Sequence, residues 1–399
     1  MPQSFTISHT GKPTRTLHVA ALPFPTHQGT QAAVRSMMEA LGSNAKLLTY
    51  ADGHEDDPVS FPIERGPKVF GRSALRSGPS IRKVVENVAL MPLLRRQWRT
   101  SFFGAVFAHH VEAAALTLAL GIQPLVFVAH TRLEPELPLY FKPLPDRLVS
   151  KLGRWTDKAL CLLSDAVAAI SPALRDHLAL ATGHPVTYLP IPWKLAEPIT
   201  DLERHEARER FGLHGRDVLL FVGNLDAYQG WEDIVAALVQ VRKKRPDTVL
   251  LVATASDPAP LRKTSLAAGV GEHVRFELLE GESCRRLVHA AADVAVVTRR
   301  VPGGLPVKLL DALSRGLPTI TTFRAIADLP LGGATLTVAD DDPNALAHAA
   351  RVLLADAALC HHLATRGRKY IEAEHSESQF MAAMQEIIAT LRVGAPGPH

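Results

Sequence analysis

Cysteine is scarce: Cys161, Cys284 and Cys360 are the three in 399 residues. They stand far apart and form no CxxC pair, which argues against a disulfide framework or a thiolate zinc site and fits a reducing compartment. Long apolar runs are lacking too. The opening MPQSFTISHTGKPTRT has no h-region of a secretory signal, and the most apolar stretch, 105–129, is broken by His109, His110 and Glu112. A cytosolic location is expected. Charge of one sign is also in short supply, at a net +4 overall, which excludes a general polycation suited to nucleic acid. The basic character is local. From 65 to 99, nine basic residues (Arg65, Lys68, Arg72, Arg76, Arg82, Lys83, Arg95, Arg96, Arg99) stand against one acid, Glu86, a segment of +8 that leaves about −4 for the rest.

What is present is the composition of an ordinary globular protein, 47% hydrophobic and 21% charged, and a length that suits two domains. Short apolar strands alternate with helical patterns throughout, the signature of βαβ units and parallel sheets, so the fold class is α/β. In the first half the strands read 17–22, 45–50, 104–109, 124–129, 166–171 and 186–191, with helices near 30–41, 80–99, 111–120, 147–163 and 172–181. PIPWKLAEPIT, with Pro190, Pro192 and Pro198, fits neither a helix nor a central strand and reads as a linker. A second alternating run follows, with strands 218–223, 248–253, 273–278, 293–298, 318–322 and 334–339. The expected domains are 1–192 and 193–375. The closing segment 376–399 holds a helix from Ser376 to Arg392, which either caps the second domain or crosses back to the first, and a loose tail. Two doubly wound domains in series imply a cleft lined by strand carboxyl ends.

Strand ends therefore hold the candidate residues. After the first strand, PFPTHQGTQAAV places Gly29 just before a helix, where backbone N–H groups and the dipole suit an anion, although a plain turn uses glycine the same way. His109 and His110 close one strand and His130 the next, so neighbouring strands would bring imidazoles to one edge, while a lone histidine in a polar loop needs no such role. No third ligand at metal spacing accompanies them. In VLLFVGNLDAYQGWEDI, Gly223 and Gly230 permit close backbone approach, and Asn224 and Gln229 offer neutral donors to a phosphate. The most informative segment is DVAVVTRRVPGGLPVKLLDALSRGLPTITT. There Arg299 and Arg300 follow a strand, Gly303 and Gly304 turn the chain, and Leu305 or Pro306 starts a helix carrying Lys308 and Asp311 on one face. Such a set suits a nucleoside diphosphate: cations and helix N–H groups for the phosphates, a carboxylate for ribose hydroxyls. An i, i+3 surface ion pair is the alternative use of Lys308 and Asp311.

The basic stretch also carries Ile81, Val84, Val85 and Val88 at helical spacing, then Pro92 as a new helix start, then Leu93, Leu94, Trp98 and Phe102. Arginines around a Trp and Phe edge suit an anionic bilayer surface, and a solvated basic face has the same pattern. The acidic runs 55–57 and 340–342 read as a loop and a helix N-terminal cap.

Through VGNLDAYQGWEDI, GLPVKLLDALSRGLPTI and GATLTVADDDPNALAHAARVLLADAALCHHLATRGRKYI, with support from LPFPTHQGTQAAV and LVFVAHT, nearly the whole chain resembles the retaining family 4 glycosyltransferases. The resemblance implies two Rossmann-like domains facing across a cleft, the GT-B arrangement. It further implies a nucleotide-sugar donor on the second domain, a glycan, lipid-linked or small-molecule acceptor on the first, no metal, and a last helix crossing back. It assigns His130 to a strand-end active-site histidine, Asp311 to the place of the ribose-binding glutamate, the loop 303–307 to the diphosphate and Gly29 to the first domain's glycine loop. Two departures stand out. Gly303 replaces an acidic residue eight positions before the ribose carboxylate, and Asn224 and Gln229 replace a common arginine and lysine. The chain looks more like a variant branch with a Tyr-Gln-Gly loop and a Pro-x-Lys-Leu helix, in which Arg299 and Lys308 would supply the missing positive charge. The expected activity is retaining transfer to a hydroxyl, with peripheral membrane contact through 65–103. The rivals are a nucleotide-sugar epimerase or phosphorylase on the same fold, and a non-catalytic paralogue acting as a binding subunit.

Overall fold

The computed structural model describes residues 15–26, 28–53, 58–69, 78, 80–141, 144–326 and 329–393. Arg72, Arg76, the acidic run 55–57 and the tail from 394 lie outside these. The described chain falls into two compact units. The first gathers residues up to Thr26, Thr30–Pro192 and the chain from Glu377; the second gathers Gln28, Gly29 and Trp193–Ser376.

The first unit is a parallel sheet of β1 (Thr16–Ala20), β2 (Ala45–Thr49), β3 (Ile63–Arg65), β4 (Ala105–His109), β5 (Leu125–Ala129), β6 (Ala166–Ala169) and β7 (Val186–Tyr188), ordered β3-β2-β1-β4-β5-β6-β7. Its helices are α1 (Gly29–Leu41), α2 (Ile81–Thr100), α3 (His110–Ala119), the short α4 (Leu133–Glu136), α5 (Asp146–Leu163) and α6 (Pro172–Thr182). The central strands are buried on both faces, as crossover helices require, which is why they read as continuous apolar runs. One short strand, β3, was not legible: IER has no apolar run.

The second unit opens with α7 (Asp201–Phe211), capped by a reciprocal box between Thr200 and Glu203. It then alternates β8 (Asp217–Val222), α8 (Trp231–Arg242), β9 (Thr248–Thr254), α9 (Ala259–Ala267), β10 (Val274–Leu278), α10 (Gly281–Ala291), β11 (Val294–Val297), α11 (Val307–Ser314), β12 (Thr319–Thr322), α12 (Phe323–Ile326) and β13 (Leu336–Val338). The helices α13 (Pro343–Ala355) and α14 (Ala357–Glu374) complete it, and Asp342 caps α13 by accepting from the N–H groups of Asn344 and Ala345. The sheet order is β10-β9-β8-β11-β12-β13, again parallel. The last helix, α15 (Glu377–Val393), packs on β6 and β7 of the first unit. Among the described residues no helix is long and apolar enough to cross a membrane.

Pro92 does not start a new helix. It lies inside α2, which runs unbroken from Ile81 to Thr100. The proline and Val88, whose carbonyl has no N–H partner at position 92, are both on the exposed side of the helix, open to solvent. The exposed positions of α2 form one stripe, apolar at Ile81, Val84, Val85 and Val88 and basic at Arg95, Arg96 and Arg99.

The chain leaving β5 is fixed by α5. Asp157 accepts from Leu133 N–H at 3.0 Å, and Gly153 lets α5 approach so closely that a Cβ there would sit 2.8 Å from the Leu133 carbonyl. Alanine would gain about 1 kcal/mol of helix propensity, but backbone cannot yield as a side-chain end can, and overpacking costs about 1–3 kcal/mol. Gly153→Ala is therefore expected to lower stability in urea denaturation; an unchanged or raised midpoint would refute the close-approach account.

Candidate functional site

Strand alternation builds the polar cluster of the first unit. Leu17 and Val19, Val106 and Ala108, and Leu125, Phe127 and Ala129 belong to one core cluster, so His18, Phe107, His109 and His130 take the opposite face. His18 is in register with Phe107 and stacks on its ring at 4.9 Å, and His109 is in register with Val128 on β5. The rings then touch in series. Thr16 Oγ1 lies 3.2 Å from His18 Nε2, His18 Nδ1 3.0 Å from His109 Nε2, and His109 Nδ1 3.0 Å from His130 Nε2. His130 Nδ1 is buried and has no hydrogen-bond partner among the described residues. Burial pushes the His18 imidazole down to about 3 and those of His109 and His130 well below the ordinary histidine value, with neighbouring rings adding to the effect on the latter two. These rings are neutral.

His110 flanks the series. Its backbone is left-handed, φ 71°, a conformation that costs a non-glycine residue about 1 kcal/mol. In return its ring stacks on His130 at 4.8 Å, and its Nε2 lies 3.2 Å from Thr30 Oγ1. Gly29 opens α1.

The second unit concentrates its polar groups where β8 and β11 end. The loop after β8 is tied down by Thr298, which donates to Gln229 O at 2.7 Å, by the Arg300 N–H on Tyr228 O at 2.8 Å and by the Trp231 indole on Leu225 O at 3.1 Å. Within it, Lys308 Nζ donates to Gln229 Oε1 at 2.7 Å, Gln229 Nε2 to Asn224 Oδ1 at 2.6 Å, and Asn224 Nδ2 to Asp226 Oδ2 at 2.8 Å and Tyr228 OH at 3.2 Å. Lysine only donates and a carboxylate only accepts, so the two ends fix both amides. Gln229 therefore holds Lys308 through Oε1 and spends one of its two amide N–H groups on Asn224.

Lys308 runs along the β8 exit because Gly223, at φ 133°, lacks a side chain: a Cβ there would lie 3.3 Å from Nζ. The ammonium also sits 4.1 Å from the Phe221 ring centroid. Burial first and the Arg299 charge second hold its pKa well below the ordinary lysine value. Gly303 has a similar cause. A Cβ at 303 would overlap the Arg299 guanidinium, which donates to Gly304 O at 2.7 Å. The residue that departs from the family pattern is thus the one that makes room for Arg299.

Asp311 is not brought to this cluster, and it makes no ion pair with Lys308. It is buried, accepting from Arg315 Nε at 2.9 Å and Arg285 Nη1 at 3.2 Å, with His289 Nε2 at 3.7 Å. Burial raises its pKa, but Arg285, His289 and Arg315 prevail and hold it at about 2. The two guanidinium contacts leave acceptor capacity on the carboxylate, but its surroundings bury it. Sequence reasoning missed Arg285, His289 and Arg315, which lie on other turns and helices, and missed His18, a solitary histidine inside an apolar strand. Among the described residues no group of three or more His, Cys, Asp or Glu is arranged to hold a metal ion.

Two family models match the chain: residues 32–192 match Glycosyltransferase Family 4, and residues 216–356 match Glycosyl transferases group 1. A GDP-mannose-dependent alpha-(1-6)-phosphatidylinositol monomannoside mannosyltransferase of Mycolicibacterium smegmatis is 29% identical, over 87% of this chain and 91% of its own. Among solved structures, sucrose-phosphate synthase from Thermosynechococcus elongatus superposes with a TM-score of 0.77 at 18% identity, covering 96% of this chain and all of its own. Anabaena HepE in complex with UDP and glucose gives 0.73 at 14% identity, over 94% of this chain and all of its own.

Asp311→Asn would leave Arg285 and Arg315 with only the exposed Glu282 as counter-ion and is expected to cost about 3 kcal/mol, read as a fall in thermal midpoint. Because the folded carboxyl titrates near 2 against an ordinary 3.8, its stabilising share is complete above about pH 4 and is lost as pH falls toward 2. The variant should show a shallower loss of stability over that window than the parent; parallel acid profiles would refute the pairing.

Proposed function

We propose that this glycosyltransferase of the family 4 type, built on the GT-B fold, moves a sugar from a nucleoside diphosphate donor to a hydroxyl acceptor, with retention at the anomeric carbon and without a metal. The observation that carries the reading is the half-buried Lys308, held by Gln229 beside Arg299 at the edge where β8 and β11 end. An ammonium drawn partly out of water and held by a neutral amide is well placed to serve an anion. A diphosphate supplies that anion, and as the glycosidic bond breaks, charge grows on its oxygens where Lys308 and Arg299 are already in place. Catalysis then comes from preorganised cations rather than from a metal. Asn224 and Gln229 position the ammonium, and the turn at Gly303 and Gly304 admits Arg299. His130 makes a hydrogen bond with a hydroxyl of the donor sugar or of the acceptor.

The acceptor is read as a lipid-linked glycan. The Mycolicibacterium relative is named for a phosphatidylinositol monomannoside. The outer stripe of α2, apolar then basic, together with the exposed Phe102, suits a peripheral contact with an anionic bilayer. Trp98 is not part of that edge, because it packs half-buried against the core.

Calorimetry with GDP-mannose and UDP-glucose in EDTA tests the donor reading. Binding of one donor should take up protons, because the anion restores the depressed Lys308 ammonium. By linkage, affinity should fall as pH rises above the depressed pKa of the free protein and level off above the pKa of the complex. Lys308→Met should lose the proton uptake and weaken binding about 10- to 100-fold, the worth of a charged hydrogen bond. No donor bound, or binding only with added divalent metal, would overturn the reading in favour of a non-catalytic subunit or a metal-dependent enzyme; donor converted without acceptor would favour an epimerase. Separately, Val84→Glu with Arg95→Glu should abolish flotation with vesicles rich in anionic lipid, and flotation that persists would remove α2 as the contact.

A further inference from the structure

We propose that His18 and His109 are positioning residues that set the tautomer of His130, so that its unpartnered Nδ1 meets a sugar or acceptor hydroxyl in a single hydrogen-bonding sense; this rests on the reading that His130 touches substrate.

A neutral imidazole has one N–H and one bare nitrogen, and every ring–ring hydrogen bond uses one of each. In the series Thr16, His18, His109, His130, with contacts of 3.2, 3.0 and 3.0 Å, the choice made at one end therefore dictates every ring. Two arrangements satisfy all three contacts. In one, the Thr16 hydroxyl donates to His18 Nε2, each Nδ1–H donates onward, and the series ends in an N–H at His130 Nδ1. In the other, His130 Nε2–H donates to His109 Nδ1, His109 Nε2–H to His18 Nδ1, and His18 Nε2–H to the Thr16 hydroxyl oxygen, leaving a lone pair at His130 Nδ1. The first arrangement leaves an N–H at His130 Nδ1; the second leaves a lone pair there and turns the Thr16 hydroxyl hydrogen away from His18. In either, the sense at His130 Nδ1 is dictated by His18 and His109.

An added proton does not fit this series. An imidazolium has two N–H groups, so one of its contacts would set donor against donor, and burial already disfavours the charged rings. His110 stands outside the relay. It faces His130 by stacking and spends Nε2 on Thr30, so it fixes the plane of the ring without choosing its tautomer. Thr16 and His18 lie on β1, two strands away from the end of β5 where His130 stands, and no local sequence signal ties them to it.

The test is ring-nitrogen NMR on the full chain labelled with 15N-histidine, paired with kinetics. His130 is assigned by the signal that vanishes in His130→Gln. In the parent, His130 should read as one tautomer. His18→Phe keeps the stack on Phe107 and removes both hydrogen bonds; it should move His130 away from that form and lower kcat about 10- to 100-fold with donor KM unchanged. His18→Asn, which restores an amide near the Nδ1 position, should recover most of both. Should His18→Phe not fold, Thr16→Val removes the far-end hydroxyl with little change of shape and should likewise shift His130. An unshifted His130 in a folded variant overturns the relay. A shift with kcat intact overturns its use in the reaction, and His130→Gln then separates the cases: turnover kept means the reading of His130 itself fails, turnover lost means only the relay does.

Discussion

The parallel pleat is the constraint from which the rest follows. In each sheet neighbouring strands run the same way, so their carboxyl ends gather at one edge, and alternate residues share a face. On β1, β4 and β5 this parity sends one set of side chains into an apolar core and the other set, His18, Phe107, His109 and His130, into a single polar file. A one-residue slip of β4 against either neighbour would exchange His109 for Ala108 and break the file in the middle. On the second sheet the adjacency of β8 and β11 does the same work, setting the Gly223–Gly230 loop beside Thr298 and Arg299.

The two units each contain a chain of side-chain hydrogen bonds, and the chains differ in how their direction is decided. From Lys308 through Gln229 and Asn224 to Asp226, both ends are chemically committed, so the amides have one orientation and the ammonium one place. From Thr16 through His18 and His109 to His130, one end is a hydroxyl that can give or take and the other is buried without a partner. The first chain is a clamp, rigid in sense as well as position. The second has a sense that depends on its ends, and a residue far along the sheet decides what the last ring offers.

Much of the architecture was legible because a strand buried on both faces is a plain apolar run between turn residues. The strands, the start of α8 at Trp231 and the cap of α13 at Asp342 follow from that and from local capping chemistry. Pro92 was misread because a proline rule ignores which side of a helix faces water. The site was legible in part. His109 and His130 announce themselves at strand ends, but His18 is invisible without the register that pairs it with Phe107. Gly303 reads as a missing acid in the sequence and as the space for Arg299 in three dimensions. Asp311 reads as an available carboxylate until Arg285 and Arg315, on α10 and just past α11, close around it.

The packing of α15 on β6 and β7 has a consequence for how the chain comes into being. The first unit is interrupted in sequence by the whole of the second, and its closing helix begins at Glu377. During synthesis on a ribosome, the second unit emerges complete while the face of β6 and β7 still waits for its cover. The order of folding thus runs against the order of the units along the chain: the part begun first is finished last, and a nascent polypeptide stalled before α15 presents a bare apolar face to whatever chaperone meets it.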